Sequence, residues 1–106
     1  KTPILFTYPL QMLCCLRGDL DLHGCDSLRS DLVCKLKTTH IRNLIFDFSQ
    51  LDFIDSSGLG VILARHRELA AIGGKVEIRG AKDNVYNLLQ LSGITRIIEV
   101  NKAEGA

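Results

Sequence analysis

The chain lacks the features that mark several large classes of protein. It has no tryptophan and two prolines, and its 13 Lys and Arg residues are scattered and balanced by 12 Asp and Glu residues. Without a basic stripe or patch, neither nucleic acid nor an acidic membrane surface is predicted as a partner. No apolar run approaches the roughly 18 residues that a membrane helix needs, and no signal-peptide pattern opens the chain. We therefore expect a cytoplasmic protein.

Cysteine is present but is not arranged for zinc or for a disulfide framework. No C-x-x-C pair occurs, and His23 and His40 offer no ligand pair at the spacing of a zinc motif. An apolar fraction of 46% in 106 residues allows a core without metal or disulfides. We expect reduced thiols, no metal and no cofactor. The thiols are those of Cys14, Cys15, Cys25 and Cys34.

Strand-like and helix-like segments alternate along the chain, which predicts a single α/β domain over residues 1–106. Most of its sheet should be parallel, because each helix then serves as a crossover between neighbouring strands. An N-terminal hairpin over 4–16, with Gly18 ending its second strand, makes the sheet of about five strands mixed. Further strands are predicted over 41–48, 75–79 and 96–100, helices over about 24–37, 57–72 and 83–91, and a short polar tail over 101–106.

The stretch over residues 43–69 organises the chain. An apolar strand leads through Asp55-Ser56-Ser57-Gly58 into a helix, which Gly73-Gly74 ends with a left-handed cap. Ligands of open α/β sheets bind at the carboxyl edge of the strands, so polar residues that follow strands should converge there. These residues are Asp19, Asp21, Asp52, Asp55, Ser56 and Ser57. A serine at a helix start serves as a cap, as a nucleophile, or as a site of phosphorylation.

Enzyme motifs fail when they are placed on this stretch. A phosphate-binding loop that used Gly74-Lys75 would need glycine at position 69, which is Leu69. A nucleophile elbow around Ser57 would need glycine at position 55, which is Asp55. A small serine-dependent hydrolase would still require a histidine within hydrogen-bond reach of Ser57. His66 is expected at the edge of the core, and we do not expect an enzyme.

Three segments carry a resemblance to a known family: LRGDLDLHGCDSL, LDFIDSSGLGVILARHREL and LLQLSGITRIIEV. They resemble the STAS domain of bacterial anti-sigma factor antagonists (anti-anti-sigma factors), and most of all the sporulation-type antagonist. The likeness covers nearly the whole chain, and DSSGLGVIL is its most specific part. The alternative is a STAS module of a general stress-response or other partner-switching pathway.

The resemblance implies a binding protein that phosphorylation controls. The unphosphorylated form binds an anti-sigma factor that is also an ATP-using serine protein kinase, and this frees the sigma factor. The kinase phosphorylates the second serine of the D-S-S-G motif, here Ser57, and the complex is lost. A serine phosphatase of the metal-dependent type restores the active form. The resemblance also implies that Asp21, the acid of the G-[DE]-L-D motif, lies near the phosphoacceptor and contributes to partner binding or phosphorylation. The residues predicted to bind the partner are Asp21, Asp55, Ser56, Gly58, Leu59 and Gly60.

Elementary physical chemistry is compatible with that implication. Asp55 or Ser56 is placed to cap the helix, which leaves the Ser57 hydroxyl available to a kinase. A phosphate adds about −1.5 to −2 charges, which should meet free N–H groups at the helix start while Asp21 and Asp55 repel it. Two readings remain open for the glycines. Gly58 and Gly60, with Leu59 between them, either admit a partner or allow close helix–sheet packing.

Overall fold

The sheet follows the order of the sequence. In the computed structural model, which describes residues 4–8, 10–38 and 40–103, the strands lie side by side in the order β1-β2-β3-β4-β5. β1 pairs with β2 in antiparallel fashion, and the remaining pairs are parallel. This confirms the predicted α/β domain and its mixed, mostly parallel sheet. The elements are β1 (Ile4–Tyr8), β2 (Gln11–Leu20), α1 (Leu22–Thr38), β3 (Asn43–Ile54), α2 (Ser56–Ala70), β4 (Lys75–Ala81), α3 (Asp83–Ser92), a 3₁₀ turn (Ile94–Arg96) and β5 (Glu99–Lys102).

One layer of helices covers the sheet. Each crossover moves one strand further in the same direction, and right-handed connections then place α1, α2 and α3 on one face. Alternate strand residues such as Met12, Phe46 and Ile78 are fully buried there, in one core with Leu32 of α1 and Leu89 of α3. The period-two burial pattern of β2 shows why these segments form strands with one apolar face.

β2 and β3 are longer than the sequence pattern predicts. Gly18 was expected to end β2, but the strand continues through it to Leu20. Gly18 has a φ of 72°, and the pairing with β3 shifts register on either side of it. Glycine here makes a bulge rather than a break, since it adopts positive φ without strain. β3 likewise continues past the predicted end at residue 48 and carries the chain to Asp55.

The predicted last strand and tail are wrong in their bounds. Residues 94–96 form a 3₁₀ turn, and β5 begins at Glu99 rather than at residue 96. Asn101 and Lys102 pair with the sheet edge as part of β5, so the predicted tail over 101–106 begins with strand. Residues 104–106 of that tail lie outside the described part of the chain.

The predicted glycine cap ends α2. Gly73 has a φ of 79°, its N–H donates to the Ala70 carbonyl, and the Gly74 N–H donates to the Leu69 carbonyl at 2.7 Å. This paired arrangement is the Schellman motif, which satisfies the last carbonyls of a helix. Gly74 is needed for a second reason, because a Cβ there would lie 2.0 Å from the Arg42 carbonyl oxygen. The helix itself runs over Ser56–Ala70, slightly earlier than the predicted 57–72.

None of the four cysteines, all of which lie in the described part of the chain, forms a disulfide. Cys14 and Cys25 are buried, Cys15 is half-buried and Cys34 is exposed. Within residues 4–8, 10–38 and 40–103, no cluster of His, Cys, Asp and Glu side chains could hold a metal ion. Across the same ranges, none of the helices has the length and apolar character to cross a membrane.

The buried Cys14 thiol should make the fold sensitive to alkaline pH. Burial, reinforced by the charges of Cys15 and Asp31, raises the pKa of Cys14 from its ordinary value of 9.0 to about 12. Above pH 9 the unfolded chain loses this proton while the folded chain keeps it, so the free energy of unfolding should fall as the pH rises towards 12. Denaturant unfolding across this range should give a shallower decline for Cys14→Val than for wild type. The exposed-thiol variant Cys34→Ser is the control, and an equal change in slope for both variants would contradict the assignment.

Candidate functional site

The carboxyl ends of β2 and β3 are joined at the point where α2 begins. Leu20 and Ile54 are paired across the two strands, and the Asp55 N–H donates to the Leu20 carbonyl at 3.1 Å. Asp21 and Asp55 are therefore the next residues along two adjacent, hydrogen-bonded chain segments. The predicted convergence at this edge is observed for both. We call the carboxylates here the acidic edge, which comprises Asp19, Asp21, Asp52 and Asp55.

Asp55 is the residue that caps α2. Its backbone is extended, with φ −112° and ψ −174°, and its Oδ1 accepts hydrogen bonds from the Ser57 N–H at 2.9 Å and the Gly58 N–H at 3.1 Å. Of the two capping residues that the sequence allowed, the geometry selects Asp55. Ser56 is the first residue of the helix and is exposed.

Ser57 lies one residue further into the helix and is half-buried. Its backbone N–H is held by Asp55, whereas its hydroxyl makes no hydrogen bond within the described residues. The hydrogen bond from its N–H to Asp55 fixes the backbone of Ser57, and its hydroxyl oxygen is not needed for that hydrogen bond. Its role as the phosphoacceptor stays a prediction at this point.

The N–H groups at the start of α2 are less available than the sequence suggested. Those of Ser57 and Gly58 donate to Asp55, and that of Leu59 donates to the Asp55 carbonyl at 3.0 Å. A phosphate on Ser57 would therefore meet a carboxylate that already holds the nearest donors. A phosphate should therefore gain less from the helix start than the sequence predicted, because Asp55 repels it and already accepts hydrogen bonds from the nearest N–H groups.

The first turn of α1, which carries Cys25, lies against the acidic edge. Burial raises the pKa of the Cys25 thiol, and the carboxylates of Asp55, Asp21 and Asp26 raise it further, while Arg29 lowers it. The Cys25 N–H also donates to the Asp21 carbonyl at 3.1 Å, which ties the first turn of α1 to this edge. Negative charge is thus concentrated beside Ser57, although the whole chain carries a formal charge of only +1.

The two glycines of the predicted partner surface have different environments. Gly58 is buried, and a Cβ there would lie 2.8 Å from Ile54 Cγ1 and 2.9 Å from both Cγ and the carbonyl oxygen of Leu20. Close packing of helix on sheet therefore accounts for a glycine at this position. Gly60 is exposed and a Cβ there would meet nothing within 4 Å, while Leu59 is partly buried against the core. The partner contacts predicted for these residues stay predictions.

Sequence reasoning missed two polar residues that brace this edge. Lys82 Nζ lies 2.5 Å from Asp52 Oδ1, and Asn84 Nδ2 donates to the Asp52 carbonyl at 2.8 Å. Both residues directly follow β4, so the rule that placed the other polar residues at the carboxyl edge applies to them as well. Asp19 and Asp52 were expected to follow strands. They lie instead within the last three residues of β2 and of β3.

Neither of the two histidine side chains that the structure describes is placed to act as a base for Ser57. His66 lies nine residues beyond Ser57 on the same helix, about 13 Å along its axis at 1.5 Å per residue. It is half-buried, as expected for a residue at the core edge. His40 precedes β3 and so lies at the opposite edge of the sheet. The side chain of His23 lies outside the described part of the chain.

Comparison with known proteins identifies the family of this chain. Residues 8–106 match the family described as the STAS domain. A Paenibacillus polymyxa protein named anti-sigma F factor antagonist is 32% identical over 85 residues, which cover 80% of this chain and 73% of that protein. The structure of the anti-sigma factor antagonist SpoIIAA in its unphosphorylated form matches with a TM-score of 0.84 and 27% identity, over 93% of this chain and 87% of SpoIIAA. The structure of the Bacillus cell fate determinant SpoIIAA in the phosphorylated form matches with a TM-score of 0.75 and 26% identity. The match covers 93% of this chain and 90% of that one.

Substitution of each residue in turn should show whether Asp55 or Ser56 caps α2. Asp55→Ala should lower the free energy of unfolding by about 1 kcal/mol, because the Ser57 and Gly58 N–H groups lose their acceptor. Ser56→Ala should change it by less than about 0.5 kcal/mol, because Ser56 is exposed. Denaturant unfolding measures both, and Asp55→Asn should recover most of the loss. A larger loss for Ser56→Ala than for Asp55→Ala would make Ser56 the cap.

The glycines offer a second matched pair on the same helix. Gly58→Ala should destabilise the fold by about 1–3 kcal/mol, because the new methyl group overlaps Leu20 and Ile54. Gly60→Ala should stabilise it by about 0.5–1 kcal/mol, because alanine favours the helix and the site is open. Thermal unfolding of both variants checks the two signs. A Gly58→Ala variant as stable as wild type would show that the helix start is not closely packed.

Proposed function

Because this chain belongs to the STAS domain family, we propose that it acts as an anti-sigma factor antagonist of the SpoIIAA type, switched by phosphorylation of Ser57. In its unphosphorylated form it binds an anti-sigma factor that is also a serine kinase, and the bound sigma factor is released. The family resemblance of the DSSGLG segment and the 32% identity to an anti-sigma F factor antagonist support this function. The same identity favours a sporulation pathway over a general stress-response pathway.

One observation carries the assignment of Ser57. Its hydroxyl makes no hydrogen bond within the described residues, beside a helix cap that depends on Asp55 and not on either serine. The oxygen can therefore be modified without loss of a structural hydrogen bond. Ser56 is exposed, and the resemblance of the D-S-S-G motif to the family is what favours the second serine, Ser57, as the phosphoacceptor.

The kinase supplies the nucleotide, and this chain supplies the acceptor oxygen. Ser57 Oγ forms a bond to the γ-phosphorus of ATP, the bond from that phosphorus to the bridging oxygen of the β-phosphate breaks, and the hydroxyl proton is released. ADP is the leaving group. The antagonist needs no cofactor of its own and performs no catalysis in this scheme. A metal-dependent serine phosphatase reverses the modification by hydrolysis.

Charge explains why the complex is lost after transfer. The new phosphate carries about −1.5 to −2 charges and faces the anionic diphosphate that remains on the kinase. Asp55 and Asp21 lie at the same helix start and add to the negative charge that the phosphate meets. Because α2 is capped by Asp55, the fold should change little. Binding is switched by charge and bulk at the surface, with Asp21 contributing to the surface that the partner covers.

The site of phosphorylation can be tested directly. Incubation with the cognate anti-sigma factor kinase and ATP, followed by mass spectrometry, should place one phosphate on Ser57. Ser57→Ala should bind the kinase but resist release by ATP. Ser57→Asp should bind at least about tenfold more weakly than wild type, because a carboxylate buried against the anionic nucleotide of the kinase costs more than about 1.4 kcal/mol. Ser56→Ala and Ser56→Asp are the matched controls.

Two outcomes would contradict the proposal. Phosphate found on Ser56, or on neither serine, would remove the assignment of the switch. A Ser57→Asp variant that binds as tightly as wild type would refute the explanation by charge, even if Ser57 is modified.

A further inference from the structure

We propose that Phe53 is the apolar anchor of the surface that binds the anti-sigma factor kinase, and that the kinase receives it in an apolar pocket bordered by basic side chains. This inference rests on the proposed function, because it assigns a contact within the same site. It adds a residue that neither the family motif nor the acidic edge identifies.

Phe53 is exposed where a large aromatic side chain would normally be buried. Its relative exposure is 44%, and it precedes the proposed phosphoacceptor by four residues. Among the large apolar side chains that the described residues expose, it is the aromatic one. It is also the one that lies at the end of β3. Aromatic residues are enriched in the buried centres of protein interfaces, because they remove much apolar surface from water.

The remaining exposed apolar side chains are distributed elsewhere on the molecule. Leu91, which is 85% exposed, lies near the C-terminal end of α3, away from the start of that helix at the carboxyl edge. The others lie in β1, in the turn before β2, just after α2, within α3, and just after the 3₁₀ turn. They are Ile4, Leu10, Ile72, Leu88 and Ile97.

The backbone that carries Phe53 is held on both sides. On one side Phe53 pairs with Asp19 of β2. On the other side the preceding residue, Asp52, receives a hydrogen bond from Asn84 and an ion pair from Lys82. Its position is therefore fixed before a partner arrives, and little ordering of the backbone has to be added to the cost of binding.

The surroundings of Phe53 specify the chemistry of the pocket that receives it. Asp19 and Asp52 beside it are exposed, and Asp21 and Asp55 are half-buried. A partner that covers the ring also meets Asp19, which pairs with Phe53 across the two strands, and basic side chains around an apolar pocket are the complement of that carboxylate and of its neighbours at the acidic edge. The anionic nucleotide of the kinase is then confined to the region that meets Ser57, at the start of α2.

Three variants test the anchor against the same kinase. Phe53→Ser should weaken binding at least about tenfold, as is typical when an aromatic anchor is removed, and Phe53→Leu should retain most of the affinity. Leu91→Ser removes an even more exposed apolar side chain at the other end of the fold and should bind as wild type does. Calorimetry gives the affinities, and thermal unfolding of each free variant shows whether it is folded. Raising the salt concentration should weaken the wild-type complex if basic residues surround the pocket.

The outcomes separate this inference from the proposed function. If Ser57→Asp fails to bind while Phe53→Ser binds as wild type does, the anchor is refuted and the switch stands. If Ser57→Asp binds normally, the explanation of the switch by charge is refuted whatever Phe53 does. A Phe53→Ser variant that loses thermal stability but keeps full affinity when folded would make Phe53 a structural residue. Binding that is insensitive to salt would refute the basic border of the pocket.

Discussion

The start of α2 lies so close to the ends of β2 and β3 that position 58 has no room for a side chain. A Cβ there would overlap Leu20 and Ile54, so a glycine is required before the helix can dock. The other features of the site depend on this approach. With the helix docked, Asp55 both bonds to Leu20 and caps α2, and Asp21 is brought beside it. Ser57 is thereby held among carboxylates with its hydroxyl outside the hydrogen-bond network.

A site built in this way is suited to control by charge without a change of fold. Nothing that holds the helix start in place depends on the hydroxyl oxygen of Ser57, because the hydrogen bonds at this position come from Asp55. A phosphate therefore acts on what approaches the surface. The nearly neutral charge of the whole chain does not reveal this property, because it averages the four carboxylates of the acidic edge with the charged residues elsewhere in the sequence.

The sequence predicted the architecture well because each helix and most strands bury one periodic apolar face. It failed where one residue type has two uses: Gly18 reads as a strand break but makes a bulge within β2. It left the cap of α2 open between Asp55 and Ser56, because only the extended backbone of Asp55 distinguishes them. Phe53 escaped notice because the burial of β3 loses its alternation after Phe48, so its side chain cannot be assigned to a face by counting. Lys82 and Asn84 were missed because their partner, Asp52, is distant in sequence.

The coincidence of strand order with chain order has a consequence for assembly. Each strand pairs with the strand before it, so closing each pair costs the entropy of no more than one crossover. Topologies with such local pairing fold faster than those that join distant segments. The segments that surround Ser57 are β2, the start of α1, the end of β3 and the start of α2. All are contained in the first sixty residues or so of the chain, so the pairings that build this corner are among the most local in the fold.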